Sequence, residues 1–141
     1  MAQDMTIGFI GVGFMGHGMA SNLIKCGYPM WIKGNRNREP LESLIAKGAQ
    51  EATTPREMAQ HCDIIHLCLS NSLQVEAVIR GCDGVLAGAR DGLIVIDATT
   101  ADPNSTAVLV DELAEKGATL VDAPLGRTPK EAAAGTLDAM V

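Results

Sequence analysis

The chain has 141 residues, 47% of them hydrophobic, the length and apolar content of one domain with a real core. Its net charge is −6, and its basic residues are scattered apart from Lys33, Arg36 and Arg38; no nucleic-acid face is expected, and an anionic ligand must be held locally. The start of the chain lacks a basic segment, and no run approaches about 18 continuous apolar residues, so neither export nor a membrane span is expected. Cys26, Cys62, Cys68 and Cys82 form no C-x-x-C pair and read as reduced, partly buried thiols of a cytoplasmic protein; no metal site is expected.

Met5 to Ile10 are mostly apolar and predict a first strand. Gly11, Gly13 and Gly16 follow with G-x-G-x-x-G spacing, and Met15, Met19, Leu23 and Ile24 then recur at helical intervals up to a stop at Gly27. Strand, glycine turn and helix in that order form the context that gives this weak motif its meaning as a dinucleotide-binding corner. Gly11 allows the sharp turn, Gly13 lets the backbone come against a pyrophosphate, and Gly16 lets the helix pack on the strand. Free N–H groups at the helix start suit the phosphates.

Pro29-Met30-Trp31-Ile32-Lys33 predicts a second strand, running into Gly34-Asn35-Arg36-Asn37-Arg38. In dinucleotide-binding units an acidic residue about 20 positions after the glycines takes the ribose hydroxyls, whereas Arg and neutral polar groups receive a 2′-phosphate. This strand ends without Asp or Glu. Asn35 and Arg36, with Arg38 close behind, therefore favour NADP(H), NAD(H) being the alternative cofactor and a solvated basic turn the structural one.

Pro40, Leu41, Leu44 and Ile45 suit a helix ending at Gly48, and Thr54-Pro55-Arg56-Glu57 is a capping box that opens another. The run Asp63-Ile64-Ile65-His66-Leu67-Cys68-Leu69 suits a strand buried on both faces of a parallel sheet, with His66 as an interior histidine whose hydrogen bonds are satisfied. Ser70-Asn71-Ser72 caps a helix carrying Leu73, Val75, Val78 and Ile79 as far as Gly81. Leu93 to Ile96 form the next strand, ending at Asp97-Ala98-Thr99-Thr100. Asp102-Pro103 opens a helix running to Gly117, and Ala118 to Val121 give the last strand, leading to Asp122. Residues 130–141 are alanine-rich and helical up to Gly135, and the chain reads as cut off at Met140-Val141. Strand and helix alternate throughout, so the expected fold is α/β, a doubly wound parallel sheet with helices on both faces, in one domain spanning residues 1–141.

Gly8-Phe9-Ile10-Gly11-Val12-Gly13-Phe14-Met15-Gly16, Met19-Ala20-Ser21-Asn22-Leu23, Asp97-Ala98-Thr99-Thr100 and Asp122-Ala123-Pro124 together resemble the β-hydroxyacid dehydrogenases, the 3-hydroxyisobutyrate dehydrogenase group. The resemblance covers almost the whole chain. It implies a Rossmann-like N-terminal NAD(P)-binding domain, and an all-helical second domain, absent here, that carries the catalytic lysine and most of a homo-oligomer interface. Lys130 stands before Gly135-Thr136-Leu137 and does not match that lysine, so the resemblance implies no catalytic residue within these residues and an inactive fragment.

Carried over by position, Gly11, Val12, Gly13, Phe14, Met15 and Gly16 resemble the pyrophosphate turn. Leu69 and Ser70 resemble contacts at the second crossover, and Thr100 a contact at the nicotinamide end. Asp122, Gly126, Arg127 and Thr128 resemble the substrate loop. There the family reads D-A-P-V-S-G-G and this chain reads Leu125-Gly126-Arg127-Thr128 after Asp122-Ala123-Pro124, which is similar to the sulfolactaldehyde reductase branch. The implied reaction is hydride transfer between a short anionic β-hydroxy acid and its semialdehyde. The alternatives are the cofactor domain of an imine reductase, or a stand-alone dinucleotide-binding or interaction module. For Arg127 the alternative is a surface arginine paired with Glu131 or Asp122.

Overall fold

The computed structural model describes residues 4–34, 37–125, 129–136 and 138, and of Phe14 the backbone only. Strands and helices alternate as β1 (Ile7–Ile10), α1 (Phe14–Lys25), β2 (Met30–Lys33), α2 (Glu39–Ala46), β3 (Gln50–Glu51), α3 (Pro55–His61) and β4 (Ile64–Leu67) in the first part. They continue as α4 (Ser72–Arg80), α5 (Val85–Gly88), β5 (Ile94–Asp97), α6 (Pro103–Ala114), β6 (Thr119–Asp122) and α7 (Pro129–Ala134). The strands form one parallel sheet in the order β3-β2-β1-β4-β5-β6. The chain steps outward from β1 to β3, then returns to lay β4 on the other side of β1. The order reverses between β1 and β4, where the doubly wound fold places its ligand crevice.

Side-chain alternation along the strands builds two apolar layers. On one face Ile7, Phe9, Met30 and Ile32 pack with Ala20 of α1 and Leu41 and Leu44 of α2. On the other, Ile10, Ile65, Leu67, Val95 and Leu120 pack with Met58 of α3, Val75 and Ile79 of α4 and Leu109 and Leu113 of α6. β4 differs from expectation in being fully buried on one face only. Ile65 and Leu67 are buried, while Ile64 and His66 are half-buried, as are Ile94, Ile96 and Val121 beside them. The reason is cover: α1 and α2 lie over β1 and β2, and α7 packs on α1, where the Asn22 amide donates to the Ala132 carbonyl at 2.8 Å.

Local signals set most element ends. The Thr54 hydroxyl accepts the Glu57 N–H at 3.1 Å, as a capping box requires, but the returning Glu57 carboxylate lands one residue early, on the N–H and hydroxyl of Thr53 at 2.8 and 2.7 Å. Asn71 accepts the Gln74 N–H at the start of α4, and Asp102 accepts the Asn104 N–H at the start of α6. Leu73, expected on the apolar side of α4, points outward and is 75% exposed; Val75 and Ile79 alone form the buried stripe. Among the described residues no helix is long and apolar enough to cross a membrane. All four cysteines are free, and burial pushes the Cys62 thiol up to about 12.

Candidate functional site

Three glycines shape the first corner of the crevice, each for a different reason. Gly11 leaves β1 with φ of +93°, where side chains are strained, and a Cβ there would run into the Cys68 carbonyl. A Cβ on Gly16 would run into the Gly11 carbonyl, so this glycine lets α1 sit against the turn. A Cβ on Gly13 would meet nothing within 4 Å. A side chain at 13 would meet no neighbour, and the space left there opens into the crevice.

Gly13 is also the N-cap of α1, with no side-chain cap and no acidic residue in the first turn. The first intrahelical bond runs from the His17 N–H to the Gly13 carbonyl at 2.9 Å. The N–H groups ahead of it, at the positive end of a helix of 12 residues, suit an anion. Val12 turns its side chain into the core, at 4% exposure, so it meets the crevice through its backbone. Met15 is half-buried in the first turn.

The second corner follows β4. Leu69 is half-buried and Ser70 exposed. The Leu69 N–H donates to the Thr99 hydroxyl at 2.9 Å, and the Ser70 N–H to the Gln74 side-chain oxygen at 2.9 Å. Thr99 is held in turn by its own N–H, which donates to Asp97 Oδ1 at 2.9 Å. Asp97 is completely buried, and burial pushes its carboxyl above the usual carboxylate range; Asp122, opposite it in register, pushes the same way. Thr100 is exposed just past the end of β5, and Asp122 is exposed at the end of β6.

Between the corners lies a cleft of about 200 Å³, with Gly11 and Gly13 on one side, Leu69, Ser70 and Gln74 on the other, and Gly34 and Asn37 toward β2. It continues into a space of about 290 Å³ walled by Pro55, Ala77 and Val78, which shares Gly11, Gly34, Leu69 and Gln74 with it. A larger cavity, about 430 Å³, lies on the far side of the turn between α1 and α2. There His17 and Ser43 share a hydrogen bond of 3.0 Å and Glu39 stands at the wall, so it is less suited to an anion than the smaller cleft.

Asn35, Arg36, Gly126, Arg127 and Thr128 lie outside the described residues. Arg38 is described, and its guanidinium is taken up by Glu42 and Glu51, each at 2.9 Å. It ties the start of α2 to β3. His66 also differs from expectation. Its ring stacks on Phe9 with centroids 4.9 Å apart, but its buried Nδ1 has no hydrogen-bond partner among the described residues, and burial lowers its pKa to about 4.

Sequence reading missed Asp97, Thr99, Gln74, Pro55 and Val78 as parts of the crevice. Thr99 stood beside the chosen Thr100, and both lie past the end of β5, where strand alternation no longer separates an inward from an outward threonine.

A parallel sheet in this order, with a glycine turn feeding an uncapped helix at the point of reversal, defines a Rossmann-type dinucleotide-binding domain. Residues 6–141 match the family described as the NAD binding domain of 6-phosphogluconate dehydrogenase, and the chain belongs to this 6-phosphogluconate dehydrogenase/β-hydroxyacid dehydrogenase family. It is 38% identical over 141 residues to 2-(hydroxymethyl)glutarate dehydrogenase of Eubacterium barkeri, covering 100% of this chain and 46% of that protein. The crystal structure of 3-hydroxyisobutyrate dehydrogenase from Salmonella typhimurium superposes with a TM-score of 0.90 at 28% identity, over 97% of this chain and 47% of that one. Psf3, solved in complex with NADP+ and 2-OPP, superposes with a TM-score of 0.88 at 30% identity, over 95% of this chain and 47% of its own. The chain thus spans about half the length of each of these three relatives.

Proposed function

We propose that these residues form the cofactor half of an NADP-dependent oxidoreductase that interconverts a short anionic β-hydroxy acid and its semialdehyde. The observation that carries this reading is the cleft at the point of reversal, where the uncapped start of α1 and the open space at Gly13 meet. Both suit a pyrophosphate: donors at a helix N-terminus, and room where a side chain would stand. A bound nicotinamide cofactor would supply hydride chemistry, as it does in dehydrogenases generally.

The chain's own residues bind and orient. The backbone from Gly11 to Met15, with Gly16 behind it, would hold the pyrophosphate. Leu69 and Ser70 would line the opposite wall, and Thr100 the nicotinamide end. Asn35 and Arg36 follow a strand that ends in Lys33 with no carboxylate after it, which favours a 2′-phosphate. A relative solved with NADP+ supports the same choice. Asp122 closes β6 at the carboxyl edge of the sheet, and Gly126, Arg127 and Thr128, next in sequence, would complete a substrate loop in which Arg127 meets the anionic end of the substrate. The proton donor and the homo-oligomer contacts would belong to the part of its relatives that these residues do not span, so the 141-residue chain would bind dinucleotide without turning substrate over.

Titration with NADPH and NADH side by side tests this. NADPH is expected to bind more tightly, and Arg36→Ala to weaken NADPH roughly tenfold or more while changing NADH little, since a charged hydrogen bond is lost from one ligand only. Tighter NADH binding, or equal losses for both cofactors, would overturn the NADP reading.

A further inference from the structure

We propose that Asp97 and Thr99 are positioning residues of the crevice: through the Thr99 hydroxyl they hold the Leu69 amide, and so fix the gap between the β4–α4 corner and the glycine turn. This rests on the dinucleotide reading above for its purpose, though not for its geometry.

The sheet ladder brings the chain only as far as this corner. The Cys68 N–H still donates to the Ile10 carbonyl at 3.0 Å, and the Ala98 N–H to the Leu67 carbonyl at 2.8 Å. The next amide, that of Leu69, has passed the end of the strand and turns to a side chain 30 residues away, the Thr99 hydroxyl at 2.9 Å. Asp97 in turn fixes the residue that carries this hydroxyl, its Oδ1 accepting the Thr99 N–H at 2.9 Å. Both residues are sealed from water, at 0% and 2% exposure, so no solvent molecule competes for the position.

The corner so held is packed on the first one. A Cβ on Gly11 would lie 3.0 Å from Leu69 Cδ2, which makes Leu69 the neighbour of the glycine turn across the crevice. Moving Leu69 therefore changes the width available to the pyrophosphate. Asp97 is unfavourable for folding on its own account. It is fully buried, its second oxygen has no partner among the described residues, and Asp122 lies opposite it in register. A chain selected for stability alone would place an apolar residue there; the corner's geometry is what the carboxyl provides.

The test uses the 141-residue chain, with NADPH as the binding probe and amide hydrogen exchange as a readout that needs no ligand. Thr99→Val keeps the shape and removes the acceptor. It is expected to speed exchange at the Leu69 and Ser70 amides at least tenfold and to weaken NADPH roughly tenfold, while Thr99→Ser restores both to within about twofold. Thr106→Val, which removes a buried hydroxyl on α6 that donates to the Asp102 carbonyl, is the control for general loosening. It should lower the melting temperature without moving either corner readout. Asp97→Ala should resemble Thr99→Val, and the double variant should be no worse than the worse single, because the two residues act in series. Additive losses, or a Thr99→Val protein with unchanged exchange and affinity, overturn the proposal. If the unmutated chain binds no dinucleotide, the cofactor reading falls, and the exchange measurements still decide whether Asp97 and Thr99 hold the corner.

Discussion

The two corners of the crevice are built on opposite principles. The one after β1 is made by leaving side chains out: Gly11 takes a backbone angle that others avoid, and Gly16 admits a carbonyl where a methyl would stand. The one after β4 is made by putting polar side chains in, with Thr99 and Gln74 receiving the two amides that the strand no longer pairs. Backbone geometry of the first kind has no substitute, because any added atom collides with main chain that cannot move aside. A hydrogen-bonded corner of the second kind can be retuned by changing one hydroxyl. The first corner therefore fixes where a phosphate can come, and the second adjusts how well it fits.

The largest effect that would break this contrast is at Gly11. Gly11→Ala should destabilise the fold by about 3 kcal/mol or more, combining the strain of positive φ with a collision against the Cys68 carbonyl. Chemical denaturation measures it, and a loss below about 1 kcal/mol would mean that the turn has an alternative path.

His66, on the strand between the corners, gives the next largest effect. Its folded-state pKa of about 4 lies below the usual 6.5, so the unfolded chain takes up the proton first as the pH falls. Its contribution is fully present above about pH 6.5, declines between 6.5 and 4, and is exhausted below 4, amounting to about 3 kcal/mol at most. Unfolding free energies measured across that window should show the decline, and His66→Phe should flatten it. An unchanged slope in the variant would assign the acid sensitivity to other groups.

Gly13 sharpens the contrast with the smallest effect. With φ of −73° and nothing within 4 Å of the missing Cβ, Gly13→Ala should leave stability within about 1 kcal/mol of the parent. Dinucleotide affinity should nevertheless fall tenfold or more, because the methyl would occupy space left for a phosphate. A variant that binds NADPH as well as the parent would show that the ligand does not approach there.

The first corner was legible in the sequence and the second was not, for a physical reason. Glycine spacing reports a local backbone requirement, and Gly11, Gly13 and Gly16 each stand where the spacing implies. The Leu69 to Thr99 bond joins residues 30 apart that meet only once β4 and β5 are paired, and nothing local separates Thr99 from Thr100. Among the described residues, periodicity, capping signals and composition together placed every strand except β3, whose two residues are exposed and carry no apolar pattern, and every helix except the single turn of α5. It failed for Leu73 because one apolar residue at a helix start does not show which way the helix faces. It failed for His66 because an apolar run cannot show whether a ring nitrogen finds a partner. Charge clustering grouped Arg38 with Arg36 and could not show that Arg38 pairs with Glu42 and Glu51, the second of them 13 residues away.

The partly covered side of β4, β5 and β6 has a thermal consequence. Ile64, Ile94, Ile96 and Val121 keep some contact with water in the folded state, so unfolding releases less new apolar surface than in a sheet enclosed on both sides. The heat-capacity change should then fall below the usual value of about 12–15 cal/mol/K per residue, since apolar hydration is its main source. A smaller heat-capacity change flattens the curve of stability against temperature, making the fold less sensitive to cooling and its stability maximum broad. Covering those isoleucines would sharpen the curve again.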